Sequence, residues 1–180
     1  MGWRDWFKRS TEDGRTRAWR EAWAEAIKAP DNQIGNELRL RLDALGLTED
    51  ETEMEREMLD GLDELVALSA AIGHSGPPRI QTGHRAVGIE PCYFSAPVSL
   101  PDDPAQPSGT LLMTATRAIF IGGGRSVTIP WHSVGDCLQQ HRDVLLVRVD
   151  RQDLHRLRCN SFADALRAGF LARHLARRRV

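Results

Sequence analysis

The chain has 180 residues, of which 41% are hydrophobic and 27% are charged, and its formal net charge is −1. A chain this apolar with so little net charge is not a disordered protein. The best apolar run, Leu65 to Ile72, has about a third of the length that a membrane-spanning helix needs, so we expect no such helix. Three widely spaced cysteines, Cys92, Cys137 and Cys159, form no disulfide framework and favour a reducing cytoplasm.

The two parts of the chain differ in charge. Residues 1–80 carry 11 basic and 17 acidic side chains, whereas residues 81–180 carry 13 basic and 8 acidic ones. Between them, Gly73 to Pro78 is rich in glycine and proline, which end a helix and disfavour an immediate restart. We therefore predict a helical region at residues 1–74, a linker at 75–80 and a second domain at 81–180.

The first region shows helical periodicity in three stretches. Apolar residues recur every three or four positions, as expected for helices that bury one face. Thr48 and Glu51 have the spacing of a capping box, which predicts the start of the third helix. Gly46 and Gly73 are placed to end the second and third helices. The predicted buried stripes are Trp19, Trp23 and Ile27; Ile34, Leu38, Leu42 and Leu45; and Met54, Met58, Leu62, Leu65, Ser69 and Ile72.

The second domain changes to short stretches rich in branched residues, separated by turn signals. Ala115-Thr116 and Gly122–Gly124 stand where hairpin turns are expected, and residues 101–108 form a polar, proline-rich loop. Asn160 or Ser161 can cap a last helix with Phe162, Leu166, Gly169 and Phe170 on its inner face. The predicted fold class is α+β: a helical region, then an antiparallel β-barrel or sandwich that a C-terminal helix caps.

The segment from Gly109 to Gly122 resembles the β-hairpin signature of pleckstrin-homology-like (PH-like) domains, in particular the GRAM-like and bacterial groups. It has a glycine, alternating apolar residues, a threonine at the turn, an arginine that opens the next strand, and an aromatic residue. The stretch from Arg125 to Trp131 is similar to the following strand. The residues that carry the resemblance are Gly109, Leu111, Thr114, Arg117, Phe120, Gly122 and Trp131.

Physical chemistry gives these motif residues a structural task. Leu111, Met113, Ile119 and Ile121 are expected to form one cross-strand apolar face. Thr114 can hydrogen-bond within the turn, and Arg117 can lie over Phe120 or pair with a carboxylate. The resemblance implies binding of lipid head groups or proteins. The Gly122–Arg125 hairpin offers a single arginine, which disfavours recognition of a phosphoinositide.

The first nine residues carry a possible contact surface. Trp3, Trp6 and Phe7 share one helical face, with the cations Arg4, Lys8 and Arg9 around it. Aromatic rings beside cations suit the water–lipid interface, which makes a peripheral membrane contact one hypothesis. Packing of the same rings onto the protein is the other, and the favoured, interpretation.

No enzyme motif is complete, and we predict a non-catalytic protein without cofactor or metal. Neither a phosphate loop nor a zinc-binding spacing of cysteine and histidine occurs. A nucleophile assembled in space from Cys92 or Cys137 with His132 stays open as a disfavoured enzyme alternative. The basic residues Arg173, Arg177, Arg178 and Arg179 are interpreted as partners of a helix dipole, and no nucleic-acid binding is predicted.

The resulting function hypothesis is a cytoplasmic adaptor that binds an unknown protein or peptide through a groove or an exposed strand edge. The alternative is a peripheral membrane module at the inner face, bound weakly through the N-terminal aromatic residues. Homo-oligomerisation is left open.

Overall fold

The computed structural model describes residues 3–149 and 154–178, except the side chains of residues 3–13 and 15. The helices are α1 (Trp3–Ala26), α2 (Asn32–Asp43), α3 (Glu53–Ser75) and α4 (Phe162–Arg177). The strands are β1 (Cys92–Ser99), β2 (Ser108–Thr114), β3 (Arg117–Gly122), β4 (Arg125–Pro130), β5 (Val134–Gln140), β6 (Asp143–Arg148) and β7 (Leu154–Cys159). Short 3₁₀ turns stand at Asp50–Thr52, Arg85–Val87 and Trp131–Ser133.

The chain divides into two compact units, Met1–Ala67 and Leu68–Val180. The division falls inside α3, because Leu68 and Ile72 belong to the apolar core of the second unit. The predicted limits, residues 1–74, 75–80 and 81–180, describe segments expected to fold independently. They stay a prediction. None of the helices in the described part of the chain is both long and apolar enough to cross a membrane.

The first unit contains α1, α2 and the first part of α3. Its buried apolar residues come from all three helices: Trp19, Trp23, Ala26, Leu38, Leu42, Met58, Leu59, Leu62 and Leu65. Both tryptophans also tie helices together through hydrogen bonds. The indole of Trp19 donates to the carbonyl oxygen of Leu38 at 2.8 Å, and that of Trp23 donates to the carbonyl oxygen of Met58 at 2.8 Å. Each ring thus buries its apolar body and satisfies its polar group.

The helix-end signals were partly confirmed. The Thr48 amide donates to a carboxylate oxygen of Glu51 at 2.7 Å, and the Glu51 amide donates to the Thr48 hydroxyl at 3.4 Å, which is the predicted capping box. Gly73 was the wrong choice for the end of α3. The helix continues to Ser75, and Gly76 has the positive φ of 85° that ends it. Met54 is 39% exposed, so its place in the predicted buried stripe was wrong.

The second unit contains a seven-stranded antiparallel sheet in the order β4-β3-β2-β1-β7-β6-β5. Strands β1 and β7 pair only over Val98–Cys159 and Ser99–Arg158, which joins the two halves of the sheet at one corner. One core takes buried residues from both halves and from α4, among them Phe94, Leu111, Phe120, Val144, Leu146, Leu157 and Leu171. The sheet is therefore folded into a sandwich with α4 packed against it, as predicted for a PH-like fold.

A second, smaller cluster covers the other face of the first half-sheet. Val87, Cys92, Leu112 and Ile119 are buried there, and Ile80 packs against them. Strands β2 and β3 are consequently covered on both faces, which explains why Leu111, Leu112 and Met113 are all buried in succession.

The cross-strand face predicted for the β2–β3 hairpin was wrong. The register pairs Leu111 with Phe120 and Leu112 with Ile119. Residues directly opposite each other share a face, so Leu111 and Phe120 point into the sandwich core, whereas Ile119 points into the smaller cluster. Side chains alternate between two faces within each strand, as predicted. That alternation does not determine the register between β2 and β3.

Candidate functional site

The β2–β3 hairpin holds most of the motif residues, and their contacts are structural. The Thr114 hydroxyl accepts a hydrogen bond from the Arg117 amide at 3.2 Å, as expected for the turn. The Trp131 indole donates to the Thr114 carbonyl oxygen at 2.9 Å, which fastens the end of β4 to the same turn. Trp131 is 4% exposed, so this bond is made in the interior.

Glu90 lies beside the same turn. Its carboxylate accepts hydrogen bonds from the hydroxyls of Thr114 at 2.7 Å and Thr116 at 2.6 Å, and it pairs with the Arg117 guanidinium at 2.7 Å. Burial raises the pKa of Glu90, but the bonds from Thr116 and Thr114 and the charge of Arg117 outweigh it and hold the pKa below its usual value. Arg117 therefore pairs with a carboxylate, one of its two predicted partners.

Gly109 and Gly122 face each other across β2 and β3. A Cβ atom added to Gly109 would lie 2.7 Å from the Cα of Gly122, so neither position has room for a side chain. Leu111 and Phe120 belong to the core. The seven motif residues thus build the hairpin and its anchor, and Phe120 also lines the cavity described below.

The N-terminal contact surface lies outside the described side chains. Backbone positions 3–9 belong to α1, but nothing further is described for Trp3, Arg4, Trp6, Phe7, Lys8 and Arg9. The membrane alternative therefore stays a prediction.

The cysteine thiols are buried, and their surroundings disfavour a nucleophile. Burial raises the pKa of Cys137 to about 12 and that of Cys159 to about 12. The Cys92 thiol donates to the carbonyl oxygen of Phe94 at 3.2 Å, and that of Cys137 donates to the carbonyl oxygen of Gly169 at 3.6 Å. His132, the proposed base, is exposed. Burial therefore disfavours Cys137 as the nucleophile of the Cys/His alternative, which stays a prediction for Cys92.

A cavity lies where β4 approaches β7. It has a volume of about 240 Å³ and is called the β4–β7 cavity below. Its apolar lining includes Phe120, Val127, Ile129, Leu154 and Leu157, and its polar lining is Asp102, Asp103, Arg125, His155 and Arg156.

The charged residues at this cavity neutralise one another. Arg125 forms an ion pair with Asp103. Arg156 pairs with Asp143 at 2.5 Å and with Asp102 at 3.5 Å. Arg125 was the single arginine found by sequence in this hairpin, and its pairing further disfavours a phosphate ligand that would need a free cation.

A groove separates β5 from the C-terminal part of α4. It has a volume of about 290 Å³, it is called the β5–α4 groove below, and its lining is Val134, Gly135, Asp136, Cys137, Arg173, Ala176 and Arg177. The helix and the strand are in close contact at Gly169, where an added Cβ would lie 3.1 Å from the Cβ of Gln139. The small residue in α4 therefore sets how near the helix lies to the strand.

Strand β5 is an edge of the sheet. Gln140 and Asp143 close its hairpin with β6, and ladder pairs alternate between bonded and non-bonded. Counting from that closing pair, the backbone N–H and C=O of Cys137 and Gln139 point away from β6. The Cys137 amide donates to a carboxylate oxygen of Asp136 at 2.7 Å, so a side chain of the strand itself occupies one edge donor.

Two arginines line the helix side of the groove without ion pairs to any described residue. Arg173 lies close enough to Cys137 to lower its pKa, against the larger effect of burial. Arg177 is exposed at the last turn of α4. The sequence had assigned both to the helix dipole, because the strand opposite them is more than thirty residues away in the chain. Arg178 lies on the same helix end, and Arg179 is outside the described residues.

Within the described residues, no group of three or more histidine, cysteine, aspartate or glutamate side chains is arranged to hold a metal ion. No protein-family model matches the chain, and no curated protein matches it.

The solved structures that match this chain include DH/PH domains of RhoGEF proteins. Two structures of p115-RhoGEF give TM-scores of 0.45 and 0.44 at 7% identity, and each match covers 95% of this chain. A ternary complex of human RhoA, its inhibitor and the DH/PH domain of human ARHGEF11 gives 0.43 at 10% identity over 99% of this chain. This chain spans 57%, 56% and 56% of those chains, respectively. The strand order and terminal helix described above carry the PH-like assignment.

Proposed function

We propose that this protein is a non-catalytic adaptor that binds an extended peptide segment of a partner protein in the β5–α4 groove. The observation that carries the proposal is the edge position of β5 beside this groove. An added strand would pair with the outward backbone groups of Cys137 and Gln139, and its side chains would enter the groove.

The charges of the groove favour an acidic segment. Arg173 and Arg177 present two guanidinium groups, against the single carboxylate of Asp136. A glutamate or aspartate of the peptide can form charge-assisted hydrogen bonds with these arginines. The hydrogen bond between the Cys137 amide and the Asp136 carboxylate has to break before a strand can pair there. A carbonyl oxygen of the peptide then replaces the carboxylate as the acceptor.

A cytoplasmic location is part of this proposal, as the three free, buried cysteines are compatible with a reducing environment. GRAM-like membership and a bacterial source stay predictions from the hairpin residues.

The test is selection from a random twelve-residue peptide library displayed on phage, with the full chain as bait. We expect extended, acidic sequences, whose binding is measured by calorimetry on synthetic peptides. Ala176→Trp fills the groove and should reduce affinity at least about tenfold. Thr128→Trp, on the opposite edge strand β4, is the matched control and should bind normally.

Hydrogen exchange reports strand addition directly. Binding should slow exchange of the Cys137 and Gln139 amides, because both become hydrogen-bonded to the peptide. Selection of no peptide, or of peptides that bind Ala176→Trp as tightly as the natural chain, would contradict the proposal.

A further inference from the structure

The β4–β7 cavity has an apolar floor inside the sandwich. Phe120, Ile129 and Leu157 are 1%, 3% and 1% exposed, so their side chains form its closed end. Val127 is half-buried, and Leu154 is 49% exposed at the open side. Val127 and Leu154 thus expose apolar surface to water at the open side, and covering such surface is favourable.

The size of the cavity limits the occupant. An apolar cavity of about 150 Å³ in a protein accommodates benzene. The β4–β7 cavity, at about 240 Å³, therefore suits a molecule of about two rings or a short branched chain.

The rim determines the charge of the occupant. Two carboxylates, Asp102 and Asp103, and two guanidinium groups, Arg125 and Arg156, line it beside the imidazole of His155, and the carboxylates and guanidinium groups carry no net charge together. Arg125 is already paired with Asp103, and Arg156 with Asp102 and Asp143. An anion or a cation would compete with an existing ion pair for the same arginine or carboxylate. An uncharged ligand leaves every pair intact.

We propose that the β4–β7 cavity binds a small, uncharged, apolar molecule of about two rings with at most one hydrogen-bonding group. The cavity is remote in the strand order from the β5–α4 groove, since β4 and β5 are opposite edges of the sheet. This proposal does not depend on the peptide-binding function.

Two fluorescent probes with one ring skeleton test it. Naphthalene is neutral, and naphthalene-1-sulfonate adds a single sulfonate to the same two rings. We expect the neutral probe to bind the full chain with one site and at least about tenfold more tightly than the sulfonate. Equal or tighter binding of the sulfonate would overturn the proposal.

A matched pair of variants locates the site. Val127 faces the cavity, and the next residue, Thr128, faces the opposite side of β4, because side chains alternate along a strand. Val127→Trp should fill the cavity and weaken the neutral probe at least about tenfold, whereas Thr128→Trp should leave its affinity unchanged. An unaltered affinity of Val127→Trp, with a native circular-dichroism spectrum, would contradict the assignment.

If Val127→Trp does not fold, methyl NMR of the natural chain locates the binding site of the neutral probe instead. The neutral probe should shift the methyl resonances of Val127, Leu154 and Leu157, while those of Leu38 in the first unit stay in place. Shifts confined to other methyl groups would overturn the proposal.

Discussion

The indole N–H of Trp131 donates a hydrogen bond to the carbonyl oxygen of Thr114, 2.9 Å away. The backbone amide of Trp131 also donates to the carbonyl oxygen of Thr116 at 3.0 Å. One residue after β4 thereby fastens both sides of the β2–β3 turn. The β2–β3 hairpin carries most of the motif that resembles PH-like domains, and the contacts show that the motif maintains the fold.

Trp131→Phe should destabilise the protein. Phenylalanine keeps most of the apolar ring but leaves the buried Thr114 carbonyl without its donor, which costs about 1–3 kcal/mol. Urea unfolding of the natural chain and the variant gives the difference in the free energy of unfolding. A loss below about 0.5 kcal/mol would mean that the hydrogen bond contributes little.

Gly109→Ala should be strongly destabilising, because its Cβ would lie 2.7 Å from the Cα of Gly122 and the two strands would have to separate. We expect a loss above about 2 kcal/mol. Gly73→Ala is the matched control. Gly73 lies inside α3 with nothing within 4 Å of an added Cβ, so alanine should stabilise the helix by about 0.5–1 kcal/mol. Thermal unfolding should show a lower Tm for Gly109→Ala and a higher Tm for Gly73→Ala than for the natural chain. Changes of Tm with the same sign would count against this explanation.

Glu90 should make the stability of the second unit depend on pH. Its pKa is lower in the folded chain than the ordinary value of 4.5. Its contribution is therefore fully present above the unfolded pKa, and it is lost as the pH falls through the folded pKa. Glu90→Gln should lower the free energy of unfolding at pH 7 by about 1–3 kcal/mol.

The difference between Glu90→Gln and the natural chain should shrink as the solution is acidified, because the natural carboxyl then becomes neutral too. Glu21→Gln serves as control: that carboxylate pairs with Arg17 on the surface and is 68% exposed, so its loss should cost under about 1 kcal/mol. A Glu90→Gln effect that is constant between pH 7 and pH 2.5 would be inconsistent with the ionised carboxylate as its source.

The three cysteines should resist thiol reagents in the folded protein. All are buried, and burial raises the pKa of Cys137 and of Cys159 to about 12. Ellman's reagent at pH 8 should label none of them in native buffer and all three in guanidinium chloride. Ser126→Cys, at an exposed position of β4, should react at once and supplies the positive control. Rapid labelling of the natural chain would show that a thiol is accessible.

Local sequence signals predicted the elements that depend on neighbours in the chain. The Thr48–Glu51 capping box forms, and Gly123 and Gly124 take the positive φ values, 60° and 74°, that their turn requires. Ser161 caps α4 by accepting a hydrogen bond from the Asp164 amide. These features are determined within a few residues, so one sequence is enough to find them.

Strand β5 was harder to predict as an element. Residues Val134 to Gln140 include a glycine and several polar side chains, and the strand contains a bulge between Val134 and Asp136. Hydrophobic and polar residues therefore alternate too weakly along β5 to predict a strand there.

The sequence by itself determined that a helical region precedes an antiparallel sheet and a closing helix, since hydrophobic period and turn residues are local properties. Tertiary structure alone decided which strands lie side by side and which charges meet. Asp102 and Arg156 are 54 residues apart in the chain yet form an ion pair at the cavity rim. Arg173 meets β5 only because α4 packs there. Such contacts between distant residues depend on cross-strand register and on helix docking. Both follow from the packing of the whole core, so no short stretch of sequence predicts them.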